Sequence, residues 1–217
     1  VSVCANFDDP DVIELMNSEI PVVTIDYVHH NCTAVTSNNI QGMEDLVKYI
    51  YSQGHRKIAY IHGQEGSSVT RDRLASFYRT IDELGLEIPD TYVRSADYLE
   101  TREAAKQTKE LLNLEDPPTC IIYPDDTSLI GGRNVIIEMG LRIPRDISVA
   151  GYDGTMISQL LYPKLTTIRQ NTEMIGSEAA TRLIGTIEKP RTTLVERVVI
   201  EGSLVPGQSV GAIQPKG

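Results

Sequence analysis

The stretch from Glu138 to Gly154 constrains this chain more than any other segment. It reads as a helix exit, a stop, a short buried strand, and an acidic residue delivered at the strand's end. Gly140 can adopt the left-handed conformation that ends a helix, and Pro144 cannot continue one. Ile147, Val149 and Ala150 then form a short apolar run, and Gly151-Tyr152-Asp153-Gly154 turns the chain out of the sheet. Open α/β sheets bind ligands beyond the carboxyl ends of their strands, so Asp153 stands where a binding residue would.

The same alternation of apolar strand and amphipathic helix runs through the chain. Pro21–Asp26 reads as a buried strand, after which Ile40, Met43, Leu46, Val47 and Ile50 recur at helical spacing until Gly54. Lys57–Ile61 is the next strand, followed by a polar loop from His62 to Ser68. Helices are expected from about Thr70 to Leu84 and from about Thr101 to Leu114. The strand Thr119–Tyr123 then leads into a helix ending at Gly140. Ile175, Ala179, Leu183 and Ile187 form a helical stripe, Leu194–Ile200 is the last strand, and the tail beyond it is expected to fray. This order predicts an α/β fold with mainly parallel sheets flanked by helices. Glu83–Pro89 nearly repeats Glu138–Pro144, which reflects shared helix-stop chemistry and not a duplicated domain.

With 217 residues the chain can bury one large core or two modest ones. Its formal net charge of −10 argues against this piece gripping nucleic acid by itself, because phosphate binding needs a basic face. Cys4, Cys32 and Cys120 are odd in number and lack metal-ligand spacing, so reduced thiols and an intracellular setting are expected. No apolar run approaches a membrane span. Val1–Ala5 reads like a strand already under way, so the natural protein is expected to extend upstream.

Several residues offer chemistry. In Pro124-Asp125-Asp126-Thr127, at a strand end and helix start, Asp126 suits a helix cap and Asp125 a ligand contact. Arg71, at the opening of a helix, presents a planar fork of donors, or pairs with Asp72. Tyr98 offers an aromatic face to a sugar or base, or packs on a loop. His29-His30 is not a catalytic pair, since neighbours on a strand point apart and the chain has no Gly-x-Ser-x-Gly elbow. It also has no phosphate loop and no Gly-x-Gly-x-x-Gly, so no cofactor and no catalysis are expected.

Taken together, four stretches resemble the effector-binding core of the LacI/GalR family of transcription regulators. They are Gly54–Ile61, Thr70–Leu74, Gly140–Asp153 and Pro163–Gln170. The resemblance implies two similar three-layer lobes of the periplasmic-binding-protein type I kind. The first would hold residues 1–53 and 168–189 and lack its opening strands. The second would hold 54–165 and 190–209, followed by a tail, 210–217. A small molecule would sit between the lobes. Carried over by position, Arg71, Tyr98, Asp125 and Asp153 fall at effector contacts, with Gln41 a candidate from the first lobe. The sequence departs from the family at Asp125, where Asn is usual, at Asn38, where Asp is frequent, and at Gly207, where Arg is common.

The implied protein is a cytoplasmic, homodimeric repressor that answers to a sugar and holds operator DNA through an N-terminal helix-turn-helix absent from this sequence. Two other readings stay open. A transport-type periplasmic sugar-binding protein of the same fold would carry a secretory signal upstream, and a sugar-processing enzyme would turn its ligand over.

Overall fold

The computed structural model describes residues 2–3, 10–189 and 194–213. Cys4 lies outside them. In chain order the elements are β1 (Ser2–Val3), α1 (Pro10–Asn17), β2 (Val23–Ile25), β3 (Thr33–Ser37), α2 (Asn39–Ser52), β4 (Ile58–His62), α3 (Ser68–Glu83), β5 (Val93–Ser95), α4 (Thr101–Leu112), β6 (Cys120–Ile122), α5 (Asp126–Glu138), β7 (Ser148–Ala150), α6 (Met156–Leu160), β8 (Thr167–Arg169), α7 (Thr172–Glu188), β9 (Arg197–Ile200) and β10 (Ser203–Val205). They divide into two compact units: Val1–Asn39 with Gln170–Gly202, and Ile40–Arg169 with Ser203–Gly217.

The first unit is a parallel sheet in the order β1-β2-β3-β9. Val23, Val35 and Ile200 bury against Ile175 and Ala179 of α7. That helix starts where the Asn171 side chain accepts the Met174 N–H at 3.2 Å. Of the expected apolar stripe, the amino-terminal half faces the core, whereas Ile187 is exposed.

The second unit is a parallel sheet in the order β5-β4-β6-β7, with an antiparallel β8–β10 pair beside it. Strands buried on both faces read as unbroken apolar runs, and successive residues then serve opposite cores. Ile58 and Tyr60 join Cys120, Ile122, Ala150 and Tyr152 in one core, packed by Met43, Leu46, Val47 and Ile50 of α2 and Phe77 of α3. Ala59 and Ile61 join Ile121, Tyr123 and Val149 in the other, packed by Ala104 and Leu111 of α4 and Leu129 and Ile136 of α5. A Cβ on Gly131 would fall 1.9 Å from the Thr101 carbonyl oxygen, so only glycine lets α5 approach α4 this closely.

Three expectations need correction. Helix α2 belongs to the second unit, not the first, because its apolar face has its partners in Tyr60, Phe77 and Ile122. The ends of the chain are exchanged in the same way: β9 pairs with β3 in the first unit, and β8 pairs with β10 in the second. The segment after Ile200 is also not frayed as far as it is described. The Ser209 hydroxyl donates to Val149 O at 2.6 Å, Val210 is buried, and the Ile213 N–H donates to Gln53 O at 2.8 Å. Gly207 lies against the Leu165 backbone, 2.4 Å from where a Cβ would stand, so no side chain fits there.

Candidate functional site

The second unit's sheet runs β5-β4-β6-β7, so the chain leaves β4 first to one side and then to the other. That reversal is where an open parallel sheet opens a crevice at its carboxyl ends. The residues gathered there come from the ends of β4, β5, β6 and β7 and the first turns of α3.

Arg73, one turn into α3, is 3% exposed. Its guanidinium lies 3.5 Å from the centre of the Tyr152 ring and 5.9 Å from that of Tyr98. Nη1 donates to Pro124 O at 2.8 Å, and Nη2 stands 3.8 Å from Asp153 Oδ1. Burial opposes its charge, but Tyr152, Tyr98 and Asp153 outweigh burial and hold the group more firmly protonated than a free guanidinium.

Tyr98 shares a hydrogen bond with Thr70 Oγ1 at 2.8 Å. Its ring covers Gly63 so closely that a Cβ there would lie 2.2 Å from ring atoms. The next residue, Leu99, has φ +65°, and its N–H donates to Asp125 Oδ2 at 2.9 Å.

Neither of the two adjacent aspartates takes the role expected of it. Asp125, not Asp126, caps α5: Oδ1 accepts the Ser128 N–H at 2.7 Å, and Oδ2 accepts the Ser128 hydroxyl at 2.8 Å. With Leu99 N–H also bound and only 1% of the residue exposed, Asp125 is a structural cap that pins the Tyr98–Leu99 turn, and it is not presented as a ligand contact. Asp126 is fully buried and accepts from Thr155 and Thr167. Burial first, and the nearby Asp153, push its carboxyl up to about 6 against the lowering effect of those hydrogen bonds.

Asp153 is partly exposed at the end of β7 with φ +95°, a conformation that non-glycine residues hold only where the surroundings impose it. Gly154 follows at φ +64°, with its α-carbon so near Arg169 that a Cβ would fall 2.4 Å from that residue's Cα.

The structure thus brings Tyr98 and Asp153 together around Arg73, a residue that sequence reasoning misses in favour of Arg71. Arg71 is exposed on α3. Gln41 is also exposed, in the second unit and not the first, with Nε2 donating to Asp45 Oδ1 at 2.8 Å. His29 and His30 do not point apart: they sit at a turn with ring centres 4.2 Å from each other. In the first unit, sequence reasoning also misses two acidic residues at strand ends. Asp26, at φ +56° after β2, accepts the Ser37 N–H at 3.0 Å, and Glu201, after β9, accepts from Asn38 Nδ2 at 2.8 Å.

Comparison with known proteins agrees with this architecture. A family of periplasmic binding protein-like domains matches residues 47–210. The probable HTH-type transcriptional repressor ExuR of Bacillus subtilis (strain 168) is 30% identical over 190 residues, 87% of this chain and 57% of that protein. The HTH-type transcriptional repressor PurR of Aliivibrio salmonicida (strain LFI1238) is 29% identical over 188 residues, 85% of this chain and 56% of that protein. The chain therefore spans a little over half the length of these curated relatives. A transcriptional regulator CelR–cellobiose complex shares 25% identity and a TM-score of 0.87, over 95% of this chain and 64% of that one. The chain belongs to the periplasmic binding protein-like family and is homologous to the LacI-type repressors ExuR and PurR.

Proposed function

We propose that this family member is the effector-binding part of a LacI-type transcription repressor and that its ligand is a small polyhydroxylated molecule of the sugar class. The observation that carries the reading is Asp153: a carboxylate held in a left-handed turn beyond the carboxyl end of the parallel edge strand β7, with the buried Arg73 guanidinium behind it. Asp153 is the acceptor for ligand hydroxyls, Tyr98 the stacking face, and Arg71 the exposed donor fork, with Gln41 at the start of α2 a further polar contact. The cellobiose complex of a structural relative supports the ligand class, and the repressor relatives support the role.

On this reading the chain is not an enzyme. Ligand acts by its differential affinity for two states of the whole repressor, one competent to hold operator DNA and one not. Operator binding belongs to a headpiece outside these 217 residues, consistent with the net charge of −10. The repressor works in the cytoplasm, and no helix among the described residues is long and apolar enough to cross a membrane. It works as a homodimer, for which the exposed Met156, Leu160 and Tyr162 on and beside α6 supply an apolar face.

A thermal-shift screen against sugars, sugar acids and nucleobases tests the reading. A ligand at ~100 times its Kd adds about 2.7 kcal/mol of stability. Arg71→Ala and Asp153→Ala should each abolish the shift. If both variants respond as fully as the parent protein, the site is elsewhere.

A further inference from the structure

Asp126 sits next to a helix cap but does different work. Its Oδ2 accepts the Thr155 N–H at 2.7 Å and the Thr155 hydroxyl at 2.9 Å, while its Oδ1 accepts the Thr167 hydroxyl at 2.8 Å. Thr167 Oγ1 in turn accepts the Gly154 N–H at 3.2 Å. One buried carboxylate on α5 therefore holds the residue after the turn directly, and the second residue of the turn through β8. Both anchors, Gly154 and Thr155, follow Asp153 directly, so the two left-handed residues, Asp153 and Gly154, are tied at their carboxyl side. The carboxylate also presses on the strand end: a Cβ on Gly151 would stand 2.3 Å from Asp126 Oδ1.

We propose that Asp126 is a positioning residue whose carboxylate, through Thr155 and Thr167, holds the Asp153–Gly154 turn in the left-handed conformation that keeps Asp153 beside Arg73. The consequence for binding rests on the reading of Asp153 as a ligand contact, but the clamp itself is testable without ligand. Protonating this acceptor of three hydrogen bonds places an O–H on one carboxyl oxygen and weakens the bonds that the charged group accepts. The charged groups around it are Asp153, which faces it from the turn, and Arg73, which stands beyond Asp153 on α3. Asp125 is turned away to Ser128 and Leu99.

Amide NMR on the full 217-residue chain decides the matter. Ionisation of Asp126 should move the Thr155 and Gly154 amides with one shared inflection near pH 6. Asp126→Asn should erase that inflection and speed Thr155 amide exchange about fivefold or more, while the Ser128 and Leu99 amides, bound to Asp125, keep their shifts. A purely structural residue would not impose the shared pH profile. Should the Asn variant fail to fold, Thr167→Val must speed Gly154 exchange to the same degree. A folded variant whose turn amides exchange more slowly than this, or keep the inflection, overturns the assignment. A clamp that passes alongside a failed thermal-shift screen sinks only the ligand reading.

Discussion

Replacing Arg73 with methionine takes a buried charge out of the second unit while leaving a side chain of comparable length. The native guanidinium is 3% exposed, donates to Pro124 O at 2.8 Å, lies 3.5 Å from the Tyr152 ring centre, and stands 3.8 Å from Asp153. A hydrogen bond from a charged donor contributes ~1.5–3 kcal/mol. A desolvated cation–π contact adds ~2 kcal/mol, so the substitution removes about 3.5–5 kcal/mol of favourable interaction. Methionine needs no hydration, so part of the several kcal/mol that burying the guanidinium costs is recovered. The Pro124 carbonyl nevertheless loses its Arg73 donor, and Asp153 loses a neighbouring positive charge. The expected balance is a destabilisation of about 2 kcal/mol, or a fall of about 4–8 °C in Tm for a protein of this size. Thermal unfolding followed by circular dichroism at about pH 7.5 measures it. Arg73→Lys keeps the charge without the planar fork and should melt between the two. An Arg73→Met protein that melts at or above the parent would refute the reasoning. The guanidinium would then be a cost carried by the fold, not a support of the site.

The remaining predictions concern packing, pH and assembly. Gly63→Ala puts a methyl group into the Tyr98 ring and should destabilise by about 1–3 kcal/mol, with a changed tyrosine fluorescence; an unchanged melting curve would mean that Tyr98 does not lie over Gly63. His55 bridges Thr119 Oγ1 and Gly211 O, and burial holds its pKa below the usual histidine value despite the Gly211 contact. The unfolded chain therefore gains a proton below pH ~6.5 that folded His55 resists, and stability falls as pH drops from there. Asp126 acts with opposite sign: its carboxyl is pushed up to about 6, so the folded protein binds the extra proton between pH ~4 and 6, and stability rises as pH falls through that window. Urea midpoints from about pH 7.5 to about pH 4.5, a span that brackets both titrations, should lose the decline in His55→Gln and the compensating rise in Asp126→Asn; matching pH slopes in parent and variants would contradict both. Leu160→Glu with Tyr162→Glu should lower the mass by light scattering from twice 24.0 kDa to 24.0 kDa, and a parent protein already monomeric would remove the proposed dimer face.

Much of the second unit was legible in the sequence because its strands are buried on both sides. Ile58–Ile61 and Cys120–Tyr123 are unbroken apolar runs, and no other structure hides such a run so simply. The helix stop at Gly140 and the delivery of Asp153 beyond β7 are local chemistry too, and the structure places both as expected. Less legible were the short strands β8 and β10, each of three residues, which carry little periodicity and exist because they pair with each other.

What the sequence could not decide was choice among near-identical neighbours. Arg71 and Arg73 lie two positions apart on one helix, about 200° around its axis, so one faces inward and the other outward. Which is which depends on where the sheet lies, and the sheet lies on the Arg73 side. Asp125 and Asp126 differ by one residue, yet one caps a helix and the other is buried beneath a turn, because Thr155 and Thr167 arrive from distant sequence to claim the second. The same holds for α2, whose apolar stripe announces a buried face but not its partner. The sequence by itself determined the longer helices and the apolar strands β2, β4, β6, β7 and β9, their α/β order and the acid beyond β7, since these follow from local periodicity and turn chemistry. Tertiary structure alone decided which unit each crossing segment joined, which of two arginines was buried and which of two aspartates capped a helix, because those outcomes depend on atoms brought close only by folding.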